Sequence, residues 1–425
     1  MKKNIKSIKG MNDYIDKKLH LYNYVIEICK NILNKYCYKE IKTPIIEQTD
    51  LFKISIGNNT DIIDQEMYSF YDKGGKHLTL RPEGTSGCIR SVIEHNLLYK
   101  DKIQKLWYFG PMYRHENTQK GRYREFHQFG VESIGTNSIY IELEIILITI
   151  KIWNVLGVSR HLKLEINSIG SIKEREIYKN KLNTFLDSKH NYIKKYYKKN
   201  YKKNPLRLFE SKNSNIKKVL KLAPLLHKNL SKKTLLRFKH LCNVLKKFKI
   251  KYYINKNLVR GLSYYNDTVF EWKNLSLNKK NTVCAGGRYD KLAYILNGKK
   301  IPSFGFAIGI ERLIILINNL KKNKTKKTTI DIEIIFLDNE TILESISISE
   351  KIRKKFPTLK IFINFSNERT KKKLKKSYEN KVKMVLFIGK QEIEYKCYSI
   401  KNLKNKEQKQ CTYKELIKEI SKLFF

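Results

Sequence analysis

The sequence predicts an α+β protein: an antiparallel-sheet domain interrupted by a helical insertion, followed by a small, separate α/β domain. Three observations carry this. Short segments that alternate apolar and polar residues recur around glycine-containing turns at 105–135 and again at 267–310. Between about 171 and 250 these patterns give way to lysine-heavy helical sequence. Beyond a charged hinge, KKNKTKKTT at 321–329, apolar runs alternate with helical stretches.

Taken in order, apolar residues from Leu19 to Tyr36 recur at helical spacing (Leu19, Tyr22, Ile26, Cys29, Leu33, Tyr36), a helix laid on a core. EIKTPIIEQ at 40–48 reads as one strand whose proline puts it at an edge or interface. HLTLRPEGTSGCIRSVIEHN at 77–96 is a strand, a turn and a helix. Segments 105–115 and 125–135 form an antiparallel hairpin, a helix follows at about 138–156, and LKLEINSIGS at 162–171 is a strand running into a turn. After the insertion, DTVFEW, TVCAGG and PSFGFAIGI are strands and ERLIILINNL is a helix. IDIEIIFL, LKIFINF and KVKMVLFIG supply strands of the second domain. The expected limits are 1–325 for the first domain, with the insertion at about 171–250, a linker at 326–329, and 330–425 for the second.

The chain has 425 residues, a net charge of +47 and 41% hydrophobic residues. That is too much apolar material for a disordered polycation. Its lysines lie in helices, loops and ends alike, so a general drift of composition accounts for them as well as selection for a polyanion does. Seven cysteines form no C-x-x-C pair and meet no histidine cluster at zinc spacing, as expected of reduced thiols in a cytosolic protein. The start, MKKNIKSIKGMNDYI, lacks the apolar core of a signal peptide and the arginines of a transit peptide. The most apolar run, IELEIILITIKIW at 141–153, is short and carries charge, so no membrane span is expected. A soluble, cytoplasmic protein is the expectation.

Arginine is the informative cation because it is scarce, fourteen of the 87 basic residues. Seven of them (Arg81, Arg114, Arg122, Arg124, Arg260, Arg288, Arg312) fall in short segments that also hold Gly or Pro. A rigid planar fork retained against a lysine background suggests bidentate grip on phosphate or carboxylate. The richest segment, GPMYRHENTQKGRYREFHQFGVE at 110–132, puts Arg114 and Glu116 on one face of the hairpin's first strand, and Gln128 and Glu132 on one face of its second. A plain cross-strand ion pair is the alternative there. In RPEGTSG, Glu83 and Thr85 stand at a helix start, as caps, as binding groups or as both. RGLSYYND places Arg260 beside Tyr264 and Tyr265, of which a regular strand would let only one share its site. CAGGRYD has paired glycines that admit a close backbone approach. GFAIGIER carries Arg312 into a first helical turn, where the helix dipole disfavours a cation unless it faces an anion. Nothing matches a P-loop, a G-x-G-x-x-G turn or a serine or cysteine triad. The residues alone point to a phosphate-handling enzyme with a polar second substrate.

The set RPEGT, MYRHE with KGRYREFHQFGVE, LVRGLSYYN, CAGGRYD and GFAIGIERL resembles the bacterial type of the histidyl-tRNA synthetase family, within the class II aminoacyl-tRNA synthetases. TPIIEQTDLF at 43–52 is similar to the first class II motif, which lies at a dimer interface; the 110–132 stretch resembles the second motif and FGFAIGIERL the third. RGLSYY and CAGGRYD resemble the two segments peculiar to histidyl enzymes. The resemblance spans essentially the whole chain. It implies a class II antiparallel-sheet catalytic domain with an anticodon-binding α/β domain, a homodimer, and an activity that joins L-histidine to ATP and then to the 3′ end of tRNA-His, with Mg²⁺ on the nucleotide.

The resemblance also implies roles. Arg114 and Arg260 would be the catalytic pair at the α-phosphate. Arg122 and Arg312 would hold the β and γ phosphates, bridged by Mg²⁺ with no protein ligand assigned, and Glu116 and Tyr123 would lie near the nucleotide. The histidine site would comprise Glu83, Gly84, Thr85, Arg114, Gln128, Glu132, Arg260, Tyr264, Tyr265 and Tyr289. Of these, Glu132 and Tyr265 would meet the imidazole, while Glu83, Thr85 and Gln128 would meet the α-ammonium. Gln119 and Lys120 would approach the acceptor end of the tRNA. One departure is Ser263, where the family pattern has Asp, so that a carboxylate orienting Arg260 is expected to be missing. Two rival readings are a non-catalytic paralogue, of the kind that regulates ATP phosphoribosyltransferase, and a basic nucleic-acid-binding protein with a decayed site.

Overall fold

Strand alternation and glycine turns fold the first part of the chain around one large sheet. The computed structural model describes residues 5–57, 60–189, 192–193, 202, 205–211, 213–275, 282–320 and 330–425. The chain divides into two units, Met1–Asn323 and Lys324–Phe425. The expected linker at 326–329 lies outside the described residues.

In the first unit the strands are β1 (Lys39–Glu40), β2 (Ile46–Gln48), β3 (Tyr68–Tyr71), β4 (His77–Leu80), β5 (Gln104–Tyr113), β6 (Glu125–Ile134), β7 (Leu162–Ser168), β8 (Tyr253–Ile254), β9 (Asn266–Asn274), β10 (Thr282–Arg288) and β11 (Ser303–Gly309). The helices are α1 (Asp16–Lys35), α2 (Thr49–Ile56), α3 (Thr85–Glu94), α4 (Leu97–Lys100), α5 (Ile139–Val155), α6 (Ile172–Asp187), α7 (Ser214–Lys221), α8 (Lys232–Lys247), α9 (Leu292–Asn297) and α10 (Ile310–Asn319). The large sheet runs β1-β5-β6-β11-β10-β9-β7-β8. Its two outermost pairs, β1 with β5 and β7 with β8, are parallel, and the pairs between are antiparallel.

Period-two alternation sends Trp107, Phe129, Val131 and Phe270 to one face, where they meet Val25, Ile145, Leu245 and Leu313 from the covering helices. The opposite face carries Leu106, Tyr108, Val269 and Tyr289, packed with Cys88 of α3 and Tyr178 of α6. The candidate site opens on this second face. The insertion is tied down by Glu174 of α6, which closes a capping box with Ser171 and accepts from Thr234 Oγ1 of α8 at 3.1 Å. On the helix-covered face of the sheet, Arg237 of α8 donates to the buried Glu142 of α5 at 2.7 Å.

The 40–48 segment departs from the expectation of a single strand. Its first residue, Glu40, ends β1 and pairs with β5 in the large sheet, whereas Ile46–Gln48 pair with β4 in a separate three-stranded sheet, ordered β2-β4-β3. Pro44, which has no N–H to donate, falls between the two pieces.

The second unit has β12 (Ile332–Phe336), β13 (Ile361–Ile363), β14 (Met384–Ile388), β15 (Tyr398–Asn402) and β16 (Gln408–Cys411), ordered β13-β12-β14-β15-β16. The pairs of β12 with β13 and β14 are parallel, and the rest antiparallel. Ile332, Ile334, Leu386 and Leu416 are among the residues of its core. Among the described residues no helix is long and apolar enough to cross a membrane.

Candidate active site

A cleft of about 780 Å³ opens on the second face of the large sheet. The β5–β6 hairpin, the turn before β9, β9 to β11 and the start of α10 all contribute to its wall. Residues from all five sequence motifs beyond 43–52 meet there: Glu83 and Thr85, Arg114 to Gln128, Arg260 to Tyr265, Cys284 and Ala285, and Gly305 to Arg312. These segments are far apart in the chain, and antiparallel register brings them together.

Four guanidinium groups line this cleft. Arg114 follows the end of β5, so it and Glu116 lie beyond the strand rather than on one of its faces; their charged atoms are 4.0 Å apart. Arg114 donates Nε to Pro82 O at 2.9 Å and lies over the Phe126 ring at 5.2 Å. Arg122 sits in the loop between β5 and β6, paired with the buried Glu116 and 3.5 Å from Glu66. Gly121 takes φ +76° at the tip of this loop, which an L side chain rarely adopts. Gly121 also uses its carbonyl to accept from Arg312 Nε at 3.0 Å, and Arg312 Nη1 donates to Thr282 O at 2.9 Å. Burial lowers the pKa of Arg312, and the charges of Arg122 and Arg114 lower it further. Burial likewise lowers that of Arg114. These cations repel one another in a low-dielectric cleft, which is a site built for an anion.

Arg260 completes the set. It lies in the irregular turn before β9, with Nη1 on Glu271 at 3.0 Å and the guanidinium 5.0 Å from the Tyr265 ring centre. Burial pulls its pKa down, but Tyr265 and Glu271 outweigh that and raise it. Its Nε is buried with no hydrogen-bond partner among the described residues. The turn is not a strand, so both tyrosines face the site, contrary to the expectation from alternation; their rings are 4.8 Å apart. Arg175 of the insertion holds this turn by donating to the carbonyls of Ser263 and Tyr265. Ser263 does not reach toward Arg260 but faces Gly57, and a carboxylate on Arg260 is present after all, from Glu271.

Beneath the cleft lies a polar floor. Glu132 is 1% exposed and accepts from Thr85 Oγ1 at 2.8 Å, from Tyr108 Oη at 3.2 Å and from Tyr289 Oη. Burial is the main cause raising its pKa to about 8, with the Glu83 charge adding and the three hydroxyls opposing. Space for this carboxylate exists because residue 305 is glycine: a Cβ there would come within 1.8 Å of Glu132. Glu83 caps α3, accepting from Thr85 N at 2.7 Å and Ser86 N at 2.9 Å, and Tyr264 Oη donates to it at 3.4 Å. Capping and wall-forming thus coexist. Gln128 and Tyr123 border the cleft, and Gln119 and Lys120 are exposed on the hairpin loop.

Other residues that stood out in the sequence serve the scaffold. Arg81 donates to Pro111 O and Thr43 O, and the fully buried Arg288 donates to Glu142 and Asp290. Arg124 is bound to neighbouring segments through its backbone. The paired glycines 286 and 287 admit the backbone of β11 and β9, respectively. Sequence reasoning missed Tyr108, Glu271 and Arg175. Tyr108 has a faint signal, because it stands opposite Gly130 in the hairpin, and a Cβ at either Gly130 or Gly84 would strike its ring. Glu271 and Arg175 have none, being ordinary charged residues in a strand and a helix.

Among the described residues no group of three His, Cys, Asp or Glu side chains is placed to hold a metal ion. Four of the cleft carboxylates are already engaged: Glu83 by amides of α3, Glu116 by Arg122, Glu271 by Arg260, and Glu311 by His127 and Tyr14. These described residues therefore do not form a Mg²⁺ cage. An ion that prefers phosphate oxygens and water would enter as part of a nucleotide substrate.

Comparison with known proteins agrees with this arrangement. The family model for histidyl-tRNA synthetase matches residues 10–313, and that for an anticodon binding domain matches 331–423. The chain is 46% identical over 425 residues to a histidine–tRNA ligase of Buchnera aphidicola subsp. Schizaphis graminum, covering 100% of this chain and 99% of that one. It is 43% identical over 408 residues to a histidine–tRNA ligase of Blochmanniella pennsylvanica, covering 96% and 93%. A crystal structure of apo S. aureus histidyl-tRNA synthetase superposes with TM-score 0.78 at 29% identity, covering 98% and 99%. A Bacillus halodurans ATP phosphoribosyltransferase regulatory subunit/histidyl-tRNA synthetase, 22% identical with TM-score 0.64 over 92% of this chain and 100% of that one, shares the fold. With both domain models matched in order and curated relatives aligned along its full length, the chain belongs to the histidyl-tRNA synthetase family.

Proposed function

We propose that this aminoacyl-tRNA ligase activates L-histidine with ATP in the arginine-lined cleft and passes the histidyl group to the 3′ end of tRNA-His. The observation that carries the reading is the convergence of Arg114, Arg122, Arg260 and Arg312 on one cavity, where burial and then the charges of Arg122 and Arg114 depress the pKa of Arg312. In the first step a carboxylate oxygen of histidine bonds to the α-phosphorus and the bond to the bridging oxygen of pyrophosphate breaks. The α-carboxylate is ionised at neutral pH, so the step needs no general base. It needs offset of the charge that gathers at phosphorus, and fixed guanidinium groups supply that without reorganising. Arg114 and Arg260 take the α-phosphate, and Arg122 and Arg312 the β and γ phosphates, which carry Mg²⁺ with them. Glu116 and Tyr123 border the nucleotide. In the second step the 3′-terminal hydroxyl of the tRNA bonds to the carbonyl carbon and AMP leaves.

Histidine is selected by groups that answer both of its ring nitrogens. Glu132 and Tyr265 meet the imidazole, Tyr264 and Tyr289 wall it, and Glu83 with Gly84, Thr85 and Gln128 receives the α-ammonium end. Gln119 and Lys120 guide the acceptor end from their exposed loop. The first unit is the catalytic domain and the second, with its match to anticodon-binding domains, the tRNA-reading one. Ile45, Ile46, Phe70 and Tyr71 leave 40% or more of their surface exposed near the three-stranded sheet. We assign that apolar surface to a homodimer, and the enzyme to the cytoplasm. Histidine-dependent exchange of labelled pyrophosphate into ATP tests the reading. A regulatory paralogue or a decayed nucleic-acid-binding protein gives no exchange.

A further inference from the structure

Because Arg260 sits outside the sheet ladder, regular hydrogen bonding does not fix it. What holds its guanidinium is Glu271 of β9, whose Oε1 accepts from Arg260 Nη1 at 3.0 Å. The other oxygen of Glu271 accepts from Thr282 Oγ1 on β10 at 2.9 Å, with Lys273 Nζ 3.7 Å away. Thr282 in turn offers its carbonyl to Arg312 Nη1 at 2.9 Å. One carboxylate and one threonine therefore link Arg260 and Arg312, the cations assigned to opposite ends of the triphosphate.

We propose that Glu271 is a positioning residue for histidine activation: it aims the Arg260 guanidinium at the α-phosphate and, through Thr282, sets the spacing from Arg260 to Arg312. The inference rests on the assignment of Arg260 to the α-phosphate made above. An exposed ion pair on a sheet would contribute little. Here the carboxylate is 14% exposed, both of its oxygens are used, and it lines the same cleft as the mutually repelling arginines. It is the counter-charge that lets Arg260 keep one rotamer before substrate arrives, which preorganisation requires. The serine at 263 faces Gly57 and leaves that work to Glu271.

The test is a double-mutant cycle read by pyrophosphate exchange on the full chain. Glu271→Gln keeps shape and an acceptor for Thr282 but removes the charge. It should lower kcat about ten- to a hundredfold, the range for losing a charged hydrogen bond, while changing the KM for histidine less than about twofold. In an Arg260→Lys background the same change should lower kcat by less than about threefold, because the group it aims is gone. Should Glu271→Gln fail to fold, Thr282→Val run in both backgrounds carries the same cycle, since it keeps the carbonyl that holds Arg312. Losses that multiply in the double variant overturn the inference and leave the role of Arg260 standing. An enzyme indifferent to Arg260→Lys alone overturns the phosphate assignment and this inference with it.

Discussion

Glu132→Gln should separate stability from function in a pH-dependent way. In the folded protein without ligand, burial raises the Glu132 carboxyl to about 8, against an ordinary value of 4.5. As pH rises past 4.5 the unfolded chain gives up this proton while the native protein keeps it, so stability falls with rising pH. The fall continues until about pH 8, where the native carboxyl also ionises, and then levels off. At about 1.4 kcal/mol per unit, roughly 3.5 units correspond to about 5 kcal/mol across this window. Glutamine has no proton to keep and can still serve Thr85, Tyr108 and Tyr289 as hydrogen-bond partner. Denaturant melts of parent and variant from pH 5 to 8 should show the variant gaining stability relative to the parent by several kcal/mol as pH rises. At neutral pH the same variant should need far more histidine, and little more ATP, in pyrophosphate exchange. Parallel pH slopes for the two proteins would refute the claim that Glu132 is held protonated by burial. Equal changes in the histidine and ATP requirements would remove it from the ring site.

Three further outcomes follow from the geometry. Arg260→Lys should cut exchange by about a hundredfold or more, as loss of one preorganised donor does, with tRNA affinity nearly unchanged; an equal loss of tRNA affinity would make it a nucleic-acid contact. Gly130→Ala places a methyl 2.1 Å from the Tyr108 ring, so a thermal melt should show a loss of about 1–3 kcal/mol together with reduced exchange. Lys120→Gln should weaken tRNA binding and reduce the slope of log K against log salt by about one, and an unchanged slope would take Lys120 off the phosphate backbone. The same salt series on the parent chain counts how many of its surplus lysines meet tRNA.

The class of each long element was legible because it follows from local periodicity. The helix at 16–35, the hairpin of β5 and β6, and the alternation of strands and helices after 330 all repeat a pattern that neighbouring residues impose. The retained arginines pointed to the cleft as well, since Arg114, Arg122, Arg260 and Arg312 all line it. Scarcity could not say which forks serve a ligand, however, and Arg81 and Arg288 spend theirs on carbonyls and carboxylates of the scaffold.

What the chain determined by itself was periodicity, charge type and motif order, each a property of residues near one another in sequence. Only the tertiary structure decided which groups share a cavity. It broke the 40–48 segment between two sheets, turned both Tyr264 and Tyr265 to one site by leaving their segment irregular, and set Glu271 on Arg260 although Ser263 stands nearer in the chain. It also buried Glu132 under three hydroxyls from three distant elements. Burial and electrostatic coupling depend on distance in space, and a linear sequence does not contain those distances.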